Sequence, residues 1–243
     1  MKKIILGLFI LLFAFGCKQK RVDIFLIGDS TAAEYKEYNR PLTGWGEKLN
    51  LFFNDNVVIH NFAVSGSSTK RFRDNLVWKK VYECLHEGSY LFIQFGHNDA
   101  KKDSSRYAAA GGAYNDNLKR YITEARQKGA IPVLITPISR RKFDKEGHLL
   151  NTHGSYPSEM KKVADEMNVP LIDLTDLTKT LIESYGVEES KILFRWVEPG
   201  EYPAYPDGMK DNTHLSPLGA EKVSELVAEE IKKIDIDLKQ FIK

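Results

Sequence analysis

Residues 22–32 read Val-Asp-Ile-Phe-Leu-Ile-Gly-Asp-Ser-Thr-Ala. The apolar run Ile24–Ile27 is short and continuous, the pattern of a strand buried on both faces of a parallel sheet. It stops at Gly28-Asp29-Ser30-Thr31. Glycine permits a sharp turn off the sheet, and a small hydroxyl residue then falls just past the strand's carboxyl end. Open α/β sheets bind their ligands at that edge. Ser30 therefore stands where a nucleophile would be placed. The competing reading is a plain helix cap, a common use of Asp-Ser-Thr clusters.

Working outward, the same strand signature recurs at Val57–Phe62, Tyr90–Phe95, Ile131–Thr136 and Val169–Leu174. Between the strands lie helical patterns: a stretch from Leu42-Thr43-Gly44-Trp45-Gly46 through Phe53, then Lys70–Leu85, Tyr114–Lys128, Pro157–Met167 and Thr175–Tyr185. Phe194–Lys210 reads as an irregular loop and Pro217–Lys233 as a closing helix. The mixed-charge end, Ile234–Lys243, reads as a solvated tail. Strands alternating with helices imply a parallel sheet covered on both faces. The expected fold is one α/β domain over residues 22–243, a three-layer α/β/α sandwich around a central parallel five-stranded sheet.

The N-terminus stands outside that pattern. A basic Met1-Lys2-Lys3 precedes the apolar run Ile4–Phe15 and then Gly16-Cys17. The run is short for a membrane span and fits the h-region of a signal peptide. Ala14-Phe15-Gly16-Cys17 resembles a lipobox. This predicts a leader over residues 1–16, lipidation of Cys17, a linker over 17–21, and a membrane-anchored lipoprotein in the periplasm or at the cell surface. The alternative is ordinary secretion with Cys17 incidental.

Composition narrows the partners. The 35 Lys and Arg fall to 33 once Lys2 and Lys3 leave with the leader, matching the 33 Asp and Glu. A neutral mature chain does not support a nucleic-acid partner. Cys17 and Cys84 are the two cysteines of the sequence. Cys84, inside an apolar-periodic segment, is expected to be a buried small hydrophobe, and neither a disulfide framework nor a cysteine metal site is expected.

Three strands end in polar signatures: Gly28-Asp29-Ser30, Asn61 through Gly66, and Gly96-His97-Asn98-Asp99. In a parallel sheet these share one rim. A fourth, Asp211-x-x-His214, is expected to open the last helix and joins them only if that helix starts at the rim. A serine hydroxyl needs an adjacent base. His214 suits that task, with Asp211 fixing its tautomer. The Ser30 and Gly66 backbone N–H groups and the Asn98 amide are candidate oxyanion donors. Asp211 and His214 as metal ligands is the rival reading, but a fuller ligand set is missing, so no metal and no cofactor is expected. Asp29 and His97 are expected to support the site.

The four blocks in this order, IGDST, NFAVSGSS, FGHND and DNTH, resemble those of the SGNH (GDSL) hydrolase superfamily. Within it the chain looks most like the rhamnogalacturonan acetylesterase group, through Pro41–Gly46, Ile93–Asp99 and Pro137-Ile138-Ser139-Arg140-Arg141. The resemblance implies a flavodoxin-like α/β/α fold, a triad of Ser30, Asp211 and His214, and oxyanion donors at Ser30, Gly66 and Asn98. It also implies a serine esterase that deacetylates pectic rhamnogalacturonan through an acyl-enzyme. Alternatives are acetylxylan or another acetylated carbohydrate, a lysophospholipase or thioesterase of the same superfamily, and a non-catalytic glycan-binding lipoprotein. The polar segments around the four blocks suit a small acetyl group and a hydrophilic sugar. Trp45, Arg140, Arg195, Trp196 and Tyr205 are the candidate substrate contacts, the aromatics by stacking and the arginines by meeting a uronate carboxylate.

Overall fold

The structure, a computed structural model, describes residues 21–243. The leader, the lipobox-like Ala14–Cys17 and most of the 17–21 linker lie outside the described residues. In chain order the strands are β1 (Val22–Gly28), β2 (Val57–Asn61), β3 (Tyr90–Gln94), β4 (Ile131–Ile135), β5 (Leu171–Ile172), β6 (Phe194–Val197) and β7 (Met209–Leu215). The helices are α1 (Thr69–Asp74), α2 (Val77–Cys84), α3 (Ala113–Gln127), α4 (Tyr156–Met167), α5 (Leu174–Glu189) and α6 (Pro217–Lys233). β1 to β5 form a parallel sheet in the order β2-β1-β3-β4-β5. β6 and β7 pair antiparallel as a separate ribbon.

The strand period of two divides the core between the two faces. Ile24, Leu26 and Phe92 point to the face covered by α5 and α6, where Ile182, Val223 and Val227 pack. Phe25, Ile27 and Leu91 point to the opposite face, against Phe72, Val81, Leu118 and Met160 of α1 to α4. The three-layer α/β/α fold expected from the sequence is the fold found. Its strand order switches direction between β1 and β3, which makes the gap above those two strands the ligand-binding crevice.

Four local expectations are corrected. The helix expected over Lys70–Leu85 is two helices, broken where Leu76 adopts φ +60°. Phe72 and Trp78 both lie in one core cluster, whereas on one continuous helix residues six apart point about 120° from each other. The break reconciles them. Cys84 is exposed, because Leu85, four residues after Val81, takes the core position instead. The loop expected over Phe194–Lys210 begins and ends in the β6–β7 ribbon. The tail is not solvated: Leu238 is fully buried, Phe241 nearly so, and the Phe241 carbonyl accepts from the Asn54 N–H. Ile236, Leu238, Phe241 and Ile242 supply an apolar side that the surrounding charges obscure in the sequence.

Candidate active site

The nucleophile turn is shaped by its neighbours. The Asp29 carbonyl accepts from the Ala32 and Ala33 N–H groups, while Asp29 Oδ1 accepts from the Thr31 N–H at 2.9 Å and the Thr31 hydroxyl at 2.8 Å. Asn61, at the end of β2, donates to the Ala32 carbonyl at 2.8 Å and ties that exit to the same turn. Trp45 lies beneath, fully enclosed, with its indole N–H on Gln94 Oε1 at 3.0 Å. No substrate reaches Trp45, which corrects its expected role.

The fourth block arrives by a different route. The Arg141 N–H donates to the Asn212 carbonyl, and the Thr43 N–H donates to the Leu215 carbonyl. β7 is thus clamped between the loop after β4 and the loop after β1, both at the carboxyl edge of the sheet. Asp211 and His214 sit on this strand rather than at the start of α6 itself.

The clamp brings the three residues into line. His214 Nε2 lies 3.0 Å from Ser30 Oγ, and His214 Nδ1 lies 2.8 Å from Asp211 Oδ2. Asp211 Oδ1 accepts from the backbone N–H groups of Thr213 and His214 at 2.8 and 3.1 Å. Arg195 donates to Asp211 Oδ2 from the other side. Burial favours the neutral acid at Asp211, but the His214 hydrogen bond and charge and the two backbone donors outweigh it, so its pKa lies well below the ordinary value. The arrangement can pass a proton from the serine hydroxyl to the imidazole while the carboxylate stays ionised.

Donors converge on the same corner. Gly66 adopts φ +76°, open to glycine at little cost. Among the described residues neither the Ser30 nor the Gly66 backbone N–H donates to a protein acceptor. Asn98 is buried, and its side-chain amide donates one hydrogen to the Ser67 carbonyl at 2.9 Å, which leaves its second N–H available.

Asp29 and His97 fit a supporting place. His97 Nδ1 is 3.3 Å from Asp29 Oδ2, and both groups are buried. Burial drives the His97 pKa down in spite of that carboxylate, so the ring is neutral at pH 7. Burial opposes ionisation of Asp29, but His97 alongside and the Thr31 donors overcome it and lower its pKa. We assign the hold on the carboxylate to the Thr31 bonds, since His97 is uncharged.

The remaining candidates hydrogen-bond to protein groups around the site. The Arg140 guanidinium donates to the Thr152 and His97 carbonyls at 3.0 and 3.1 Å, joining two loops. Arg195 is committed to Asp211 and to the Tyr205 hydroxyl at 3.0 Å, and Tyr205 in turn donates to the Asn39 carbonyl. Trp196 donates to Asn212 Oδ1 at 2.9 Å and is ringed by Arg141, Lys191 and Lys210. All four are tied to protein neighbours, Arg195 and Tyr205 to one another. Tyr35, which the sequence did not single out, donates its hydroxyl to the Ser30 carbonyl at 2.8 Å. It sits five residues past Ser30 in an irregular segment with no periodic signal to mark it. Among the described residues, no cluster of three or more His, Cys, Asp or Glu side chains is placed to hold a metal.

The chain matches the GDSL-like Lipase/Acylhydrolase family over residues 24–227. It is 42% identical over 224 residues to the rhamnogalacturonan acetylesterase RhgT of Bacillus subtilis (strain 168), covering 92% of this chain and 95% of that one. It is 34% identical over 220 residues to the probable rhamnogalacturonan acetylesterase YesY of the same organism, covering 90% and 96%. The solved structure of protein YXIM from Bacillus subtilis superposes with a TM-score of 0.77 at 25% identity, over 90% of this chain and 58% of that one. The family match runs from Ile24 in β1 to Val227 in α6 and so takes in every element that carries the site; the chain belongs to the GDSL-like lipase/acylhydrolase family, the SGNH hydrolases.

Proposed function

We propose that this protein is a serine esterase that removes O-acetyl groups from pectic rhamnogalacturonan through an acyl-enzyme. The observation that carries the reading is the hydrogen-bonded series Asp211–His214–Ser30. His214 Nε2 takes the Ser30 proton as Oγ attacks the acetyl carbonyl. The oxyanion is met by the Ser30 and Gly66 N–H groups and the Asn98 amide, each worth on the order of a hundred- to a thousandfold in rate. His214 then protonates the departing sugar oxygen, and water attacks the acetyl-serine by the same route in reverse. Asp211 orients the imidazole and stabilises its charged form.

The segments Ser65-Gly66-Ser67-Ser68 and Gly96-His97-Asn98-Asp99 are short and polar, which supports a small acyl group on a sugar. The likeness to RhgT supports the pectic substrate. The lipobox-like Ala14-Phe15-Gly16-Cys17 supports a leader ending at Gly16 and a lipid anchor at Cys17, which would hold the domain at a membrane face.

The test is acetate release from acetylated rhamnogalacturonan and acetylated xylan, with p-nitrophenyl esters from acetyl to octanoyl. Pectic polymer ahead of xylan, with a steep fall beyond acetyl, is the expected result. Preference for xylan would retain the mechanism and replace the substrate. Preference for octanoyl would overturn the reading.

A further inference from the structure

A second concavity, outside the site already described, is lined by basic side chains. It has a volume of about 580 Å³ and is lined by Lys70, Arg73, Asp74, Lys79, Tyr107 and Arg120, with Trp78 and Asn117 at its floor and side. Its size falls in the range of ligand-binding clefts. Its lining carries four basic side chains and one acid, and of the four Arg73 pairs with Glu124 and Lys79 lies 4.0 Å from Glu83.

The groove is built rather than incidental. Arg73 is mostly buried, lies 4.9 Å over the Tyr121 ring and gives one guanidinium nitrogen to Glu124 at 2.7 Å. Its other terminal nitrogen, Nη1, is buried without a hydrogen-bond partner. The Glu124 bond and the Tyr121 and Trp78 rings fix the guanidinium in the groove wall, where its charge contributes to the basic lining. Lys79 and Arg120 are exposed at the rim, and Tyr107 at the edge carries the Lys102 ammonium 4.3 Å over its ring, a further cation beside the groove.

The groove also joins the catalytic corner through α1. Thr69, the first residue of that helix, donates both its N–H and its hydroxyl to Asp99 Oδ1, at 2.9 and 2.6 Å. Asp99 follows Asn98 directly. Lys70, next in the chain, lines the groove. The groove and the Asn98 turn are thus joined through the start of α1.

We propose that this groove is an accessory subsite for a polyuronate, whose carboxylates meet Arg73, Lys79 and Arg120. The proposal rests on the esterase reading for its purpose, but binding at the groove is measured separately from catalysis.

The test uses the protein carrying Ser30→Ala, with unacetylated polygalacturonate as the probe, in affinity electrophoresis or calorimetry at low salt. Binding should weaken at least tenfold in Lys79→Glu/Arg120→Glu, two exposed positions at which folding is not at stake, and should weaken with added salt. In the active enzyme the same pair should raise KM for acetylated pectin several-fold, leaving kcat and p-nitrophenyl acetate turnover unchanged. Polygalacturonate binding that ignores the double variant would overturn the proposal. So would anionic vesicles of phosphatidylglycerol or single-stranded DNA binding as tightly as the polyuronate. If pectin yields no acetate but polygalacturonate still binds through Lys79 and Arg120, the substrate assignment fails and the subsite stands.

Discussion

Arg195 and His214 share one oxygen of Asp211: both donate to Oδ2, the histidine at 2.8 Å and the arginine from the opposite side. A carboxylate held from two sides cannot rotate away from the imidazole. It also spends part of its charge on the guanidinium. Removing Arg195 should therefore loosen the geometry while making the imidazolium easier to form. Arg195→Ala is expected to lower kcat roughly ten- to a hundredfold, with partial recovery in Arg195→Lys, whose single ammonium restores charge but not the fork. The acid limb of the pH–rate profile should move to higher pH in Arg195→Ala. A fall in kcat with an unmoved acid limb would show that the arginine acts through folding alone.

The three aligned residues should behave as a unit. Ser30→Ala and His214→Ala are each expected to abolish hydrolysis of p-nitrophenyl acetate, and the double variant to be no worse than either. Asp211→Asn should cost on the order of a hundred- to ten-thousandfold, since it weakens the hold on the histidine tautomer. The Asp211 pKa is held well below its ordinary value, so the carboxylate remains ionised in all of these assays at neutral pH. Circular dichroism of each variant separates loss of chemistry from loss of fold.

Asp99 gives a stability prediction with a definite sign. Burial, only partly offset by the Thr69 donors, raises its pKa from 3.8 to about 7 in the folded protein, and Oδ2 has no hydrogen-bond partner. Between those two values the folded chain holds a proton that the unfolded chain has released. The stabilising contribution of the protonated acid is then complete below about pH 3.8 and is lost as pH rises to about 7. Asp99→Asn removes this dependence. Thermal unfolding from pH 4 to 8 should show the variant gaining on the wild type as pH rises, by a few kcal/mol at most. A constant difference across the range would contradict the raised pKa.

The anchor is tested in cells. Expressed with its own leader in a bacterium that processes lipoproteins, the protein should fractionate with membranes, and Cys17→Ala should release it or stall its processing. More than one acyl chain is needed for stable attachment, at about 0.8 kcal/mol for each buried methylene. Mass spectrometry of an unmodified Cys17 on the mature chain would refute lipidation.

Much of this protein was legible in the chain because burial is written locally. The apolar run of β1, the Gly-Asp-Ser turn after it and the boundaries of α6 follow from period and punctuation, and the structure places them as read. The blocks containing Ser30, Gly66 and Asn98 could be put on one rim because a parallel sheet gathers its carboxyl ends. Tertiary structure decided what local pattern cannot encode. It put Asp211 and His214 on β7 and held that strand at the rim through the Arg141–Asn212 and Thr43–Leu215 backbone bonds, made across about 70 and 170 residues of chain. It made Arg195 a partner of Asp211. It broke the helix at Leu76 so that Phe72 and Trp78 pack on one side, and it folded the charged tail so that Leu238 enters the core. A side chain's partners depend on which surfaces come to face each other, and that is settled only when the whole chain has buried its apolar area.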